Sequence, residues 1–323
     1  MKPLLVTMGD AAGIGPEIVC KAFVAGDLAD AVFVGSAAVL RREQRCMVAL
    51  IEHPDDLAWV PPGCLPVIEP SGLTQALAGL PRGEVHADNG QAAARCIEKA
   101  VQFLMGGAGG AIVTAPVHKE ALAAAGVPYP GHTEMLQALA AAPAVRMMLA
   151  NSELRVVLVT IHMSLRDAIS AVTFGAVLST LKIAHRAAAA WGLGSPRIAV
   201  AGLNPHAGEG GLFGSEEQTI IGPAVRAAQK AGIAASGPFA PDTVFMRARR
   251  GEFDIVVAMT HDHGLIPVKY LGVDDGVNVT LGLPFVRTSP DHGTAFDIAG
   301  RGTADPASLV AAARMARRLA DSA

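Results

Sequence analysis

Three apolar runs rich in Val and Ile each lead into a histidine: Val156-Val157-Leu158-Val159-Thr160-Ile161-His162, residues 198–206 ending Asn204-Pro205-His206, and Ile255-Val256-Val257-Ala258-Met259-Thr260-His261. Separated by helical stretches, such runs read as buried strands of a parallel sheet. Sheets of this kind gather ligands beyond the carboxyl ends of their strands. Three imidazoles delivered to one edge form a donor set for a divalent cation, with a position left open for water or substrate. One histidine near a strand end is more often structural; three in equivalent places argue for a metal-dependent enzyme. Their spacing is that of successive α/β units rather than of a zinc finger, and the absence of H-E-x-x-H disfavours a zinc peptidase.

Composition narrows the class. At 323 residues and 51% hydrophobic the chain can bury a large core, which Ala, Val, Leu and Ile must fill because aromatics are only 4%. A net charge of −3 without a long basic block argues against a nucleic-acid partner. No run reaches the roughly 18 uninterrupted apolar residues of a membrane span, and the apolar stretch 4–8 runs straight into Gly9-Asp10, too short for a signal peptide. Cys20, Cys46, Cys64 and Cys96 are scattered without a C-x-x-C pair, so reduced thiols and a cytoplasmic location are expected.

Strand and helix signals alternate along most of the chain. Strands are expected at 4–8, 31–35, 111–114, 145–150 and 154–161, the last two joined as a hairpin at Asn151-Ser152. The proline-rich stretch 52–82 reads as irregular, with one short strand at 65–68. Long helices are expected at about 174–191 and 215–231, the second opening on Ser215-Glu216-Glu217-Gln218, a capping-box pattern, and a last one begins at Asp305-Pro306. The expected fold is α/β and two-lobed, with a mixed, largely parallel sheet between helices. The lobes are residues 1–130 plus 270–323 and residues 131–269, with the active site in the cleft.

Other residues could carry chemistry. Tyr129-Pro130-Gly131-His132-Thr133-Glu134 precedes an apolar helix, and a glycine turn into a helix start is an anion site to which His132 and Thr133 could donate. A plain Thr N-cap is the equal alternative. Lys269, Asn278 and Arg287 follow at the ends of short apolar runs, a combination that holds carboxylate and phosphate groups, although singly each is more often a solvated surface residue. Asp242 and Asp262 are candidate acid–base or supporting groups. The turn Gly9-Asp10-Ala11-Ala12-Gly13-Ile14-Gly15-Pro16-Glu17 fails G-x-G-x-x-G, and Glu17 in the first helical turn would repel a pyrophosphate. It is a tight structural turn, not a Rossmann loop.

Taken together, these motifs resemble the 4-hydroxythreonine-4-phosphate dehydrogenase family of pyridoxal phosphate biosynthesis and its 4-phospho-D-threonate and 4-phospho-D-erythronate dehydrogenase relatives. The likeness runs nearly end to end: M-G-D-A-A-G-I-G-P-E at 8–17, T-A-P-V-H-K at 114–119, G-H-T-E at 131–134, G-L-N-P-H-A-G-E-G-G at 202–211, H-D-H-G-L-I-P-V-K at 261–269, G-V-N-V-T-L-G-L-P-F-V-R-T-S at 276–289 and D-H-G-T-A at 291–295. The resemblance implies an isocitrate/isopropylmalate dehydrogenase-like fold and a homodimer with shared active sites, one ligand histidine coming from the partner subunit. It implies His162, His206 and His261 as ligands of one divalent metal ion (Zn, Mg or Co) per site. By this resemblance His132, Thr133, Lys269, Asn278 and Arg287 become substrate contacts; from the residues themselves, Lys269 and Asp242 are the candidate catalytic groups. The stretch holding His292, Gly293, Thr294 and Asp297 resembles the loop that binds NAD (or NADP) in isocitrate-type dehydrogenases, which places the cofactor on the first lobe and the metal and dimer contacts on the second.

The implied reaction is metal-assisted oxidation of a phosphorylated hydroxy acid, 4-phosphohydroxy-L-threonine at C3, by hydride transfer to NAD⁺ with loss of CO₂ from the β-keto acid. Departures are Ala11 where relatives usually carry Pro, and Thr260 and His263 where most carry Tyr and Gln; His263 beside a ligand bears on substrate choice. The stretches Y-P-G-H-T-E at 129–134 and G-L-F-G at 211–214 resemble the D-threonate and D-erythronate relatives, whereas T-A-P-V-H-K at 114–119, with His118, leans toward the vitamin B6 enzymes. From another class, a three-His metal hydrolase would act without NAD and leave the 292–297 loop without a task.

Overall fold

A computed structural model of the chain describes residues 2–73, 75–272 and 276–321. They form two compact units, residues 1–143 with 283–321, and residues 144–282. These bounds differ from the expected divisions at 130/131 and 269/270: the helix that follows Gly131 packs with the first unit, its Met135 and Leu136 joining Ala94, Ile97, Val101 and Leu122 in one apolar cluster, and the strand at 277–281 pairs with residues 146–150 of the second.

In the first unit β1 (Leu4–Thr7) leads through a glycine-rich turn to α1 (Gly15–Val24), followed by β2 (Ala31–Val34), α2 (Ala37–Arg42), β3 (Met47–Leu50) and β4 (Cys64–Ile68). Next come α3 (Ala87–Met105), β5 (Ala111–Thr114), α4 (Lys119–Ala124) and α5 (His132–Leu139). β1 lies between β2 and β5, parallel to both, and its residues Leu5 and Val6 are fully buried. β3 pairs in parallel with β4, with Met47 and Leu50 exposed. No alternation marks such a strand in the sequence, and the reading of that region lacked it.

The second unit opens with the antiparallel hairpin β6 (Arg146–Ala150) and β7 (Arg155–Leu158). Asn151 makes the turn, its side-chain oxygen accepting from the Glu153 and Leu154 amides. Then follow α6 (Leu165–Ala171), α7 (Phe174–Ala187), β8 (Ile198–Ala201), α8 (Gly222–Lys230), β9 (Ala235–Phe239), α9 (Pro241–Arg249), β10 (Ile255–Ala258), α10 (His261–Tyr270) and β11 (Val277–Leu281). The strand order is β11-β6-β7-β10-β8-β9. β7, β10, β8 and β9 run parallel and β6 runs against both neighbours, so the sheet is mixed and largely parallel. Val156, Leu158, Val256 and Ala258 form the centre of its core with Val244 and Leu265. The apolar run at 265–268 lies in the middle of α10.

The chain then returns to the first unit as β12 (Val286–Pro290), parallel to β5, and α11 (Ala307–Asp321), whose first amide bonds to Asp305. Among the described residues no single helix is long and apolar enough to cross a membrane, and the apolar pair 165–171 with 174–191 bends by 82°.

Candidate active site

Residues beyond β7 and β10 stay paired after the strands end. Val159 donates to the Ala258 carbonyl at 2.9 Å, and both the amide and the hydroxyl of Thr160 donate to Met259, at 3.2 and 2.8 Å. Because the two chain segments leave the sheet together, His162 and His261 meet, with ring centroids 5.4 Å apart. His261 opens α10, and its Nδ1 lies 2.8 Å from an oxygen of Asp262. A carboxylate on one ring nitrogen fixes the tautomer and leaves the other to act as a ligand. This pair of nitrogen donors fits a borderline divalent cation such as Zn²⁺ or Co²⁺.

His206 reaches the surface differently. It does not continue β8; the chain passes Asn204-Pro205 and enters a left-handed turn in which His206, Ala207, Gly208, Glu209 and Gly210 have φ of 52°, 53°, 82°, 43° and 66°. Each non-glycine residue in left-handed helical geometry costs roughly 1–2 kcal/mol, so the surroundings must enforce the turn. His206 lines a cavity of about 450 Å³ with Asp242, Asp262, His263, Ile266 and Pro267. Among the described residues of one chain, no three His, Cys, Asp or Glu side chains converge as a metal group. Two of the three expected imidazoles come together and His206 stands apart from them. Asp242 is exposed in the first turn of α9, Lys269 is exposed in the last turn of α10, and Asn278 is half-buried on β11 opposite Leu149.

The first unit holds an anion-receptive group. Arg287 is only 3% exposed on β12, and its Nε and Nη2 donate to the Thr114 hydroxyl at 3.2 and 2.7 Å. Burial pulls its pKa down to about 10, which leaves the guanidinium charged at neutral pH. His132 opens α5, and Gly131, not Thr133, occupies the N-cap, so the plain Thr-cap alternative falls. Burial first, and then the Arg287 charge, push the His132 imidazole well below its usual pKa. Its Nε2 is buried without a hydrogen-bond partner. A neutral ring with an unmatched nitrogen beside a buried cation suits a ligand that brings a negative charge.

The expected cofactor loop packs on the N-terminal turn. The Thr294 carbonyl accepts from Ile14 at 3.0 Å, and a Cβ on Gly13 would lie 2.9 Å from Thr294. Gly9 (φ 73°) has no more room, since a Cβ there would meet the Pro116 carbonyl at 2.4 Å. These glycines serve close packing, in keeping with a structural turn. In the loop His292 Nδ1 lies 3.0 Å from the Gly293 carbonyl while its Nε2 is buried and unmatched; Gly293 and Asp297 are exposed. An orphaned donor or acceptor in a loop so tightly backed fits a polar ligand such as a dinucleotide.

Sequence reading gave no role to several residues here. Thr114 ends β5 as the partner of Arg287, and its place in the T-A-P-V-H-K motif was the available signal. His118 stacks on Phe296 with centroids 4.6 Å apart. Buried Asp10 accepts from Ala12, and desolvation raises its pKa against the pull of that amide and of His118. Glu217 was read as part of a capping box; instead its carboxylate accepts from the Leu203 and Asn204 amides, both at 2.7 Å, and residues 217–221 form a π turn ahead of α8.

A family model described as pyridoxal phosphate biosynthetic protein PdxA matches residues 27–316. A 4-hydroxythreonine-4-phosphate dehydrogenase of Beijerinckia indica is 53% identical over 98% of this chain and 95% of its own. A D-threonate 4-phosphate dehydrogenase of Pectobacterium atrosepticum is 46% identical over 99% of each chain. The crystal structure of a 4-hydroxythreonine-4-phosphate dehydrogenase from Klebsiella pneumoniae matches with a TM-score of 0.91 at 46% identity, over 99% of this chain and 98% of that one. The motifs, the mixed α/β architecture and these matches agree: the chain belongs to the PdxA family and is an oxidoreductase of the dehydrogenase type.

Proposed function

We propose that the chain oxidises 4-phosphohydroxy-L-threonine at C3 with NAD⁺ (or NADP⁺) and a divalent cation, and that the resulting β-keto acid loses CO₂. The observation that carries this reading is the meeting of His162 and His261 beyond the carboxyl ends of adjacent parallel strands. His162, His206 and His261 would hold the cation, the set being completed by a second copy of the chain. Exposed apolar residues of the second unit, among them Met163, Leu165, Phe174, Leu212 and Ile266, support that dimer. When bound, the cation supplies Lewis acidity at the substrate oxygen and the nicotinamide accepts the hydride.

The chain's own residues do the rest. Arg287, held by Thr114, and the first turn of α5 with His132 and Thr133 bind the substrate's anionic groups, while Asn278 and Lys269 fix its orientation. Asp242 and Lys269 handle the proton that leaves the C3 hydroxyl. His292, Gly293, Thr294 and Asp297 line the cofactor. The composition and the four unpaired cysteines favour the cytoplasm.

A second reading keeps the chemistry and changes the substrate to D-threonate 4-phosphate, as in the Pectobacterium relative. The 46% identity to that relative over 99% of each chain supports it, and His263, on the cavity wall with His206 and Asp242, bears on the choice. The test is NADH absorbance with NAD⁺, Mg²⁺, Zn²⁺ or Co²⁺ and a panel of both phosphorylated acids, 4-phospho-D-erythronate and unphosphorylated diols. The reading expects NADH only with a phosphorylated hydroxy acid, fastest with 4-phosphohydroxy-L-threonine. No NADH with any of them, or turnover without NAD⁺ as a metal hydrolase would show, overturns it.

A further inference from the structure

The turn that carries His206 cannot hold itself. Five successive residues there lie in the left-handed region, three of them not glycine, and the His206 side chain is exposed. What lies beneath is one buried carboxylate. Glu217 is 4% exposed; its Oε1 accepts from the amides of Leu203 and Asn204, and its Oε2 accepts from the Asn204 side chain at 3.0 Å. The same carboxylate packs against the turn from below. A Cβ on Gly208 would come within 2.7 Å of Oε2, and one on Gly202 within 3.0 Å of both Oε1 and the Ala207 Cα. Glu217 also sits in a π turn, an irregularity that re-aims a helical side chain.

Burial pushes the Glu217 pKa up, but hydrogen bonds from the Asn204 backbone and side chain and from Leu203 outweigh it and hold the group ionised. A negative charge kept by amide donors rather than by a lysine or arginine is rigid, because each donor belongs to the backbone or to a side chain that is itself tethered. Asn204 Nδ2 is shared with Glu216 Oε2 at 2.8 Å.

We propose that Glu217 is the positioning residue of His206: by clamping residues 203–204 and filling the underside of the left-handed turn, it presents the imidazole in a single orientation. The proposal rests on the reading of His206 as a cation ligand. Supporting groups of this kind typically change metal affinity by about 10–100-fold.

The test uses Co²⁺ titration of the purified full chain, read by visible absorbance, together with the ¹⁵N-imidazole NMR signal of His206 without metal. Glu217→Gln keeps the shape but sets an amide N–H against donors. It is expected to weaken Co²⁺ binding about tenfold or more and to broaden or shift the His206 signal, with circular dichroism unchanged. Glu217→Asp, which keeps the charge on a shorter stem, should fall between. His206→Ala should weaken Co²⁺ at least as much, and adding Glu217→Gln to it should have no further effect. Should Glu217→Gln not fold, Gly208→Ala disturbs the same contact from the other side and is expected to weaken Co²⁺ in the same way. Wild-type affinity and an unchanged His206 signal in the Glu217 variants, with His206→Ala still impaired, overturns the positioning role alone. Wild-type affinity in His206→Ala overturns the ligand reading and the positioning role with it.

Discussion

Replacing Thr114 by Val tests how the anion-receptive group is built. Thr114 is fully buried, and its single hydroxyl oxygen accepts two bonds from the Arg287 guanidinium, at 3.2 and 2.7 Å. Valine preserves the volume and sets a methyl group where the acceptor was. A hydrogen bond to a charged group is worth about 1.5–3 kcal/mol. The two bonds share one oxygen and do not add, so the expected loss is about 2–3 kcal/mol in the first unit. Thr114→Ser keeps the oxygen and removes one buried methyl, a loss of about 0.8 kcal/mol. Urea denaturation of the three proteins should therefore rank wild type, Ser, then Val. The kinetic consequence separates anchoring from bulk stability. With the Thr114 bonds to Arg287 lost, KM for the phosphorylated acid should rise in the valine variant while KM for NAD stays put, and serine should restore it. Equal urea midpoints and equal KM values for wild type and Thr114→Val would show that the hydroxyl does not anchor Arg287, and the reasoning would fail.

Other consequences follow from the same geometry. His132 is held well below its unfolded pKa near 6.5; between those two values the unfolded chain holds the extra proton, so stability falls as pH drops below about 6.5, by up to about 1.4 kcal/mol per pH unit. His132→Gln should flatten that part of the stability–pH curve, and an unchanged slope would assign it to another group. Gly13→Ala pushes a Cβ to 2.9 Å from Thr294; overpacking costs typically about 1–3 kcal/mol, so, if that cost falls on the cofactor loop, KM for NAD should rise about 5- to 150-fold with substrate KM unaltered. If substrate KM moves instead, the loop at 292–297 does not serve the cofactor. Leu158→Ala, in the core beneath the two histidines, should cost about 2–5 kcal/mol, measurable as a lower melting temperature; an unaltered melt would mean that the sheet core is placed wrongly.

Much of the second unit was legible because its strands are buried on both faces. Val156-Val157-Leu158 and Ile255-Val256-Val257 have no polar member to blur the pattern, and the Asn151 turn between β6 and β7 carries its own hydrogen-bonding signature. Two features were not legible, for different reasons. β3 lies at the end of its strand order beside β4; its residues 47–50 are an apolar run without alternation, short and half exposed, just ahead of a stretch whose many prolines argued against regular structure. The His206 turn is left-handed, a conformation set by contacts with Glu217 eleven residues on and not by local preference. Ser215–Gln218 misled for a local reason: a capping box needs Ser215 at the N-cap and Gln218 reaching back to it, whereas the N-cap here is Glu216 without a side-chain cap bond and residues 217–221 form a π turn. The boundary expected at 130/131 shifted because α5 is assigned by what its apolar face packs against, which composition cannot show.

X-ray absorption at the cobalt edge of the Co²⁺-loaded protein, with the number of imidazoles read from multiple scattering, addresses the cation site most directly. Three imidazoles per cobalt in the wild type, and two after His261→Ala, is the result expected here. A cobalt ligated by oxygen alone, or a spectrum that His261→Ala leaves untouched, would contradict the assignment.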